Sequence, residues 1–105
     1  MVNSSLFVFG FLICIFVCST CEAQDTWCVA QGPAPDDKLQ SFLDSTCAQY
    51  NCADIQPGGS CFEPNTLHNH ASYALDLAFR NTGDCNADIG TPSVTDPSFG
   101  NCHYP

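Results

Sequence analysis

The sequence has 105 residues, a formal net charge of −9 and nine cysteines. This length accommodates one small domain and excludes a large enzyme with a deep cleft. Only Lys38 and Arg80 are basic, so the chain lacks the positive face that binding to nucleic-acid phosphates requires. The cysteine content indicates either an oxidising compartment or a metal-binding framework.

The first 23 residues have the pattern of a cleaved export signal. Residues 6–17 read LFVFGFLICIFV, an apolar run shorter than the roughly 20 residues that a helix needs to cross a bilayer. Cys21 and Ala23 place small residues where a signal peptidase requires them, although residues 1–5 contain no Lys or Arg. We therefore predict a signal peptide over residues 1–23 and a mature domain over residues 24–105.

Removal of this signal leaves 82 residues with six cysteines, two basic residues and ten acidic ones, a formal charge of −8. A domain of this size buries about 60–65% of its unfolded surface, so its core alone is marginal. Three disulfides, each contributing roughly 2–4 kcal/mol, would offset that weakness, but the spacing does not choose their pairing. A zinc site would need paired Cys-x₂₋₄-Cys units, and only Cys47 and Cys52 come close. We expect disulfides, and no metal or cofactor.

The mature chain begins with a strand candidate, residues 27–30 (WCVA), followed by a helix over residues 36–47. Apolar residues of this helix recur at helical spacing, namely Leu39, Phe42, Leu43 and Cys47. Pro35 and the two aspartates after it suit a first helical turn, through the fixed φ of proline and the helix dipole respectively.

A tight turn is predicted at residues 56–60 (QPGGS), and residues 60–62 form a further strand candidate. A second helix runs from about residue 66 to 80 and ends before Gly83. One stripe of this helix is apolar, formed by Leu67, Ala71, Ala74, Leu75 and Ala78. The tail, residues 90–100, reads as coil with a short strand. The predicted fold class is a small α+β, disulfide-rich domain.

Five segments together carry a family resemblance: WCVA at 27–30, LQSFLD at 39–44, IQPGGSCFEPNT at 55–66, HASYA at 70–74 and TDPSFGNC at 95–102. In these motifs the chain resembles the plant X8 domain, also classed as carbohydrate-binding module family 43. That domain occurs at the C-terminus of plant endo-1,3-β-glucanases, in plasmodesmal callose-binding proteins and as short secreted proteins. The residues before Cys52 and the segment 86–90 depart from the family pattern, which puts the loop geometry there in question.

The resemblance implies two helices, a small antiparallel sheet and long coil. It also implies disulfides joining Cys28 to Cys85, Cys47 to Cys52, and Cys61 to Cys102. In function, it implies binding of β-1,3-glucan (callose) without hydrolysis.

A glucan has apolar C–H faces and hydroxyl rims, so its binder needs flat aromatic side chains with amide or carboxylate groups nearby. Trp27 either stacks on sugar or packs over the Cys28 disulfide. Tyr73 lies about 240° around the second helix from Leu67, roughly opposite the apolar stripe, so we expect it to be an exposed stacking residue. Phe62 is a further candidate, although a core position is favoured for it and for Phe79.

Among polar candidates, Asn65 either binds sugar hydroxyls, as Gln56 would, or caps the second helix. We expect Asp76 beside Tyr73 on the exposed face, either as a hydroxyl acceptor or as a solvated charge. His68 and His70 point to different faces of a helix, which disfavours a metal site.

The sequence thus predicts a secreted, monomeric, non-catalytic β-1,3-glucan-binding module of the plant cell wall or apoplast. Because the sequence stops at His103-Tyr104-Pro105, we expect no lipid anchor. The alternative is a small cysteine-rich interaction or defence protein that no longer binds glucan. No catalytic residue is predicted.

Overall fold

A computed structural model describes residues 25–105, so the predicted export signal lies outside the described residues. Strand β1 (Trp27–Ala30) pairs with strand β2 (Gly90–Ser93) in a two-stranded antiparallel sheet. Trp27 lies opposite Ser93, and Ala30 lies opposite Gly90. β1 alternates between half-buried and buried residues, which places Cys28 and Ala30 in the core.

Helix α1 spans Asp36–Gln49. Pro35 stands at the N-cap in an extended conformation, one residue before the helix, while Asp36 and Asp37 occupy the first turn as predicted. Leu39 is buried, and Phe42 and Leu43 are half-buried on the same side. A short 3₁₀ helix, Ala53–Ile55, follows.

Helix α2 spans Leu67–Thr82, and its termini have identifiable causes. The Thr66 hydroxyl accepts a hydrogen bond from the Asn69 backbone N–H at 3.2 Å, so Thr66, and not Asn65, caps the helix. Gly83 ends it with φ 77°, a left-handed conformation that favours glycine. The predicted apolar stripe faces the core, since Ala71, Ala74 and Leu75 are buried.

The strand predicted at residues 60–62 is wrong. The Cys61 backbone N–H donates to the Asp54 carbonyl oxygen at 2.7 Å, so this segment folds back on the 3₁₀ helix and pairs with no strand within residues 25–105. Gly59 permits this approach, because a Cβ there would collide with the carbonyl oxygens of Ala53 and Asp54.

Polar side chains of α2 cover the edge of β1 that β2 leaves unpaired. Ser72 Oγ accepts from the Ala30 N–H at 3.0 Å, and Asp76 Oδ1 accepts from the Cys28 N–H at 3.0 Å. Arg80 Nη2 donates to the Thr26 carbonyl oxygen at 2.6 Å. The chain rises about 6.0 Å over four helical residues and about 6.6 Å over two strand residues. Every fourth residue of the helix therefore lies beside every second residue of the strand. We call this set of contacts the α2–β1 ladder.

Two buried clusters lie on the two sides of α2. The first contains Cys28, Ala30, Leu39, Ala71, Leu75 and Ile89, and the second contains Cys52, Ile55, Cys61, Tyr73 and Cys102.

The disulfides join Cys28 to Cys85, Cys47 to Cys52, and Cys61 to Cys102, which confirms the pairing that the resemblance implies. Two helices, a small sheet and three disulfides likewise confirm the predicted fold class. Within residues 25–105, no helix has the length and apolar character needed to cross a bilayer.

Candidate functional site

An open groove of about 430 Å³ lies between α1 and the segment formed by residues 55–70. Residues of α1 form one wall, namely Gln40, Leu43, Asp44 and Cys47, and the opposite wall comes from Ile55, Gln56, Pro57, Phe62, Asn65, Leu67 and His70. We call it the Phe62 groove. The Cys47–Cys52 disulfide ties the end of α1 to the 3₁₀ helix, and so joins its two walls.

The floor of the Phe62 groove combines aliphatic and aromatic side chains. Ile55 is buried, and the Phe62 ring is half-buried, with its centroid 5.3 Å from that of the His70 ring. His70 Nε2 donates to the Phe62 carbonyl oxygen at 2.7 Å, which anchors the loop to α2. This floor is therefore preformed in the folded chain.

The rim of the Phe62 groove is polar and largely uncharged. Gln40 Nε2 donates to Asp44 Oδ1 at 2.8 Å, which orients both side chains along α1. Gln56 and Asn65 are exposed, and their side-chain amides form no hydrogen bond with other residues of the 25–105 range. These amides supply donors and acceptors that a ligand can use.

This combination suits a neutral, polyhydroxylated ligand, since an apolar floor contacts C–H groups while amides bind hydroxyls. Of the residues that line the groove, Asp44 is the only carboxylate. Glycoside hydrolysis ordinarily uses two carboxylates on either side of the scissile bond. The geometry of the Phe62 groove therefore supports binding better than hydrolysis.

Tyr73 is not exposed, and its predicted placement is wrong. Its side chain is buried, the hydroxyl donates to Asp54 Oδ2 at 3.0 Å, and the ring centroid lies 5.6 Å from that of Tyr104. Burial, followed by the hydrogen bond to Asp54, raises the pKa of Tyr73 to about 12. The helical wheel failed here because the disulfide-held cluster covers a second side of α2.

Asp76 is also misplaced by the sequence prediction. Its side chain is fully buried and forms the middle rung of the α2–β1 ladder. Oδ2 has no hydrogen-bond partner among the described residues, and Arg80 Nε lies 3.9 Å from it. Burial raises the pKa of Asp76, against the lowering effect of the Cys28 N–H and Arg80. This side chain accepts a hydrogen bond from β1 and is inaccessible to a ligand.

Trp27 lies outside the Phe62 groove, at the last rung of the ladder. The ring is half-buried, and the Arg80 guanidinium carbon lies 5.9 Å from its centroid. Phe79 is half-buried against the first cluster, which confirms its predicted core position. No group of three or more His, Cys, Asp or Glu side chains within residues 25–105 is arranged to hold a metal ion.

The structure thus brings together Phe62, Asn65 and Gln56, and separates them from Trp27, Tyr73 and Asp76. Sequence reasoning missed Gln40 and Asp44, the polar contribution of α1. Their four-residue spacing is visible in the sequence as a helix-surface pair. That the pair faces the 55–70 segment depends on tertiary packing and has no local signal.

In architecture, the chain is a small α+β domain cross-linked by three disulfides, with an open groove on one flank of α1. Residues 26–88 match the X8 domain family. The chain is 42% identical over 91 residues to the major pollen allergen Ole e 10 of Olea europaea, an alignment that covers 79% of this chain and 73% of that protein. The chain belongs to the X8 domain family.

Other relatives are larger proteins. A glucan endo-1,3-beta-D-glucosidase of Olea europaea is 39% identical over 92 residues, which cover 82% of this chain and 20% of the enzyme. Plasmodesmata callose-binding protein 1 of Arabidopsis thaliana is 35% identical over 86 residues, covering 76% of this chain and 43% of that protein. The chain thus spans about a fifth of the length of that glucosidase.

Proposed function

We propose that this protein is an exported, non-catalytic module that binds β-1,3-glucan in the plant cell wall through the Phe62 groove. Membership of the X8 family supports the ligand class, since relatives are named as a callose-binding protein and as endo-1,3-glucosidases. The observation that carries the proposal is the joining of an apolar floor to unpaired rim amides in a preformed groove.

Within the Phe62 groove, Phe62 would contact the C–H face of a sugar ring while Asn65 and Gln56 bind its hydroxyls. Gln40 and Asp44 would contact the same ligand from α1. We propose no contact for Tyr73 or Asp76, because both are buried. Trp27 would serve stability, since Arg80 lies against its ring.

The lining of the groove supports the non-catalytic proposal. Asp44 is the single carboxylate that lines the groove, whereas glycoside hydrolysis ordinarily uses two. Incubation of the folded protein with laminarin should therefore release no reducing sugar. Release that disappears in Asp44→Asn would overturn the non-catalytic proposal.

Retention on insoluble β-1,3-glucan tests the binding proposal directly. The mature protein, with its three disulfides verified by mass mapping, should be retained, and Asn65→Ala or Gln56→Ala should weaken retention several-fold. Asn101→Ala and Gln49→Ala are matched controls, because they remove exposed amides outside the groove. Equal retention of all four variants would exclude the Phe62 groove as the site.

A protein with correct disulfides that is not retained at all would exclude glucan binding, and would favour the alternative in which the scaffold binds a protein partner. Export is tested separately, in plant cells that express the full chain. The mature protein recovered from the medium or wall should begin at Gln24. Recovery of the uncleaved chain inside the cells would contradict export.

A further inference from the structure

A second groove, of about 460 Å³, lies on the other flank of α1. It is lined by Asp37, Lys38, Ser41, Phe42, Ser45, Asn86, Asp88 and Ile89, and it shares no residue with the Phe62 groove. We call it the Phe42 groove. At roughly 100° per residue, the α1 residues that line the two grooves are centred about 140° apart around the helix axis.

The wall opposite α1 is a turn, residues 86–90, that is firmly held. The Gly90 N–H donates to the Asn86 carbonyl oxygen at 2.7 Å, and the Gln31 N–H donates to the Ile89 carbonyl oxygen at 2.8 Å. The Gln31 side-chain amide also donates to the carbonyl oxygens of Ala87 and Gly90, at 2.9 and 2.7 Å. The Phe42 groove is therefore preformed, as the Phe62 groove is.

Both grooves combine an apolar, aromatic floor with polar side chains around it. Ile89 is buried and Phe42 is half-buried, so the floor has an apolar and aromatic surface. Three donors stand around it, the hydroxyls of Ser41 and Ser45 and the Asn86 amide nitrogen, and none donates to an acceptor within residues 25–105. Unused donors beside an aromatic ring suit sugar hydroxyls and C–H groups respectively.

The charges of the Phe42 groove select against anions. Lys38 Nζ lies 3.2 Å from Asp88 Oδ2, so the one cation of the groove is paired. Asp37 then leaves the lining with a formal charge of −1. Phosphates, sulfates and acidic sugars are disfavoured by this charge, whereas a neutral polysaccharide is not.

We propose that the Phe42 groove binds a second segment of β-1,3-glucan, so that one domain holds two glucan chains and cross-links them. This inference rests on the proposed function, because it takes its ligand from the Phe62 groove. Because the two grooves lie on different flanks of α1 and share no lining residue, we expect each to bind a separate molecule. Each protein molecule then joins one polysaccharide, which contains many such segments, to a second polysaccharide.

Calorimetric titration with a short, soluble β-1,3-gluco-oligosaccharide tests the inference. Wild type should bind two oligosaccharides per chain. Ser45→Arg fills the Phe42 groove, whose carboxylates attract the guanidinium, and Gln40→Arg fills the Phe62 groove in the same way; each should bind one. Gln49→Arg adds the same charge to α1 outside both grooves and should still bind two.

Cross-linking supplies a second readout. Wild type and Gln49→Arg should raise the light scattering of a long, soluble β-1,3-glucan, whereas Ser45→Arg and Gln40→Arg should not, although both are still retained on insoluble glucan. Sedimentation must show a monomer in each case, because a dimer would also cross-link. Circular dichroism of each variant establishes that it is folded.

The outcomes separate the two proposals. One oligosaccharide per wild-type chain, unaffected by Ser45→Arg and lost in Gln40→Arg, would overturn the second site and leave the proposed function standing. Absence of binding by folded wild type would overturn both. Loss of both sites in folded Ser45→Arg would show one extended site, and would also contradict two separate grooves.

Discussion

Asp76 places a carboxyl group in the core of a domain that has few cationic side chains to pair with it. The Cys28 N–H contacts one oxygen, while the other lacks a hydrogen-bond partner among the described residues. Leaving a buried polar atom unpaired costs about 1–3 kcal/mol, and more for an ionised group. A proton on Asp76 removes that charge, so the protonation state of this residue couples pH to the stability of β1.

We predict that the free energy of unfolding falls as the pH rises from near 3.8 through the folded-state pKa of Asp76. The folded pKa lies above the ordinary value of 3.8, so the folded chain binds this proton more tightly than the unfolded chain does. The stabilisation is complete at low pH and is lost as the pH increases. Urea denaturation across pH 3–8 measures this dependence.

The variant Asp76→Asn should lack this pH-dependent component, because an amide does not titrate in that range. Asp84→Asn is the control, since it removes an exposed carboxylate and should keep the wild-type dependence. Groups that do not interact with Asp76 cancel when each variant is compared with wild type, whereas the charge of Asp96 contributes to the raised pKa of Asp76 and is therefore part of the measured coupling. Parallel pH profiles for wild type and Asp76→Asn would refute the coupling.

Tyr73 illustrates how a ligand-like side chain is used for stability. We predict that Tyr73→Phe lowers the free energy of unfolding by about 1 kcal/mol, because it removes the hydrogen bond to Asp54 and keeps the ring. Tyr73→Ala should cost about 3–5 kcal/mol, because it also opens a cavity against Tyr104. Denaturation and glucan retention are measured on the same samples. A folded Tyr73→Phe with several-fold weaker retention would instead make the hydroxyl a ligand contact.

At the scale of elements, the α2–β1 ladder explains how a two-stranded sheet is stable at all. An isolated pair of short strands is marginal in water, because each strand has an unpaired edge. Here Ser72 and Asp76 accept from β1 where a third strand would otherwise pair. The opposite edge, on β2, contains Pro92, which has no N–H to offer a further strand.

We predict that Ser72→Ala lowers the free energy of unfolding by about 1–3 kcal/mol, because it leaves the buried Ala30 N–H without an acceptor. Amide hydrogen exchange should accelerate most at Ala30, with a smaller change at Cys28, whose acceptor remains. Ser41→Ala is the control on an exposed helix face and should change stability by less than about 0.5 kcal/mol. Uniform acceleration at both amides would indicate that the ladder opens as one unit and that Ser72 has no separate role.

At the scale of the molecule, local sequence patterns correctly predicted the features that local interactions determine. Both helices, β1, the Gly83 terminus and the apolar stripe through Ala71 and Leu75 follow from periodicity and caps. The polar side of α2 was misjudged, because periodicity treats Tyr73 and Asp76 as solvent-facing. Their burial depends on a strand edge and a disulfide-held cluster that arrive from distant sequence.

In the candidate site, too, some features follow from the local sequence and others depend on tertiary packing. Phe62 and Asn65 are candidates by side-chain type, although the sequence favours a core position for Phe62 and allows a helix cap for Asn65; both line one groove. Trp27 is a candidate on the same ground, yet it lies outside that groove, beside Arg80. Side-chain chemistry identifies candidate residues. Which of them come together depends on the packing of distant segments, such as residues 55–70 against α1.

The disulfides of the whole chain should divide their effects between stability and binding. Cys61–Cys102 closes a separation of 41 residues, whereas Cys47–Cys52 closes a separation of 5. Both disulfides contribute to the second cluster, but only the shorter one has a cysteine, Cys47, that lines the Phe62 groove. By loop entropy, removing the first as a pair of serines should cost about 4 kcal/mol, and removing the second about 2 kcal/mol. Urea denaturation of the two double variants measures this difference.

Glucan retention should rank these two double variants in a different way, because Cys47–Cys52 joins the two walls of the Phe62 groove. Under conditions where both are folded, Cys47→Ser/Cys52→Ser should lose retention several-fold more than Cys61→Ser/Cys102→Ser. The second variant is the control, since neither of its cysteines lines the groove. If retention instead follows stability in both, the wall of the groove does not depend on its disulfide. Binding strength and fold stability are therefore expected to be governed by different cross-links of one small domain.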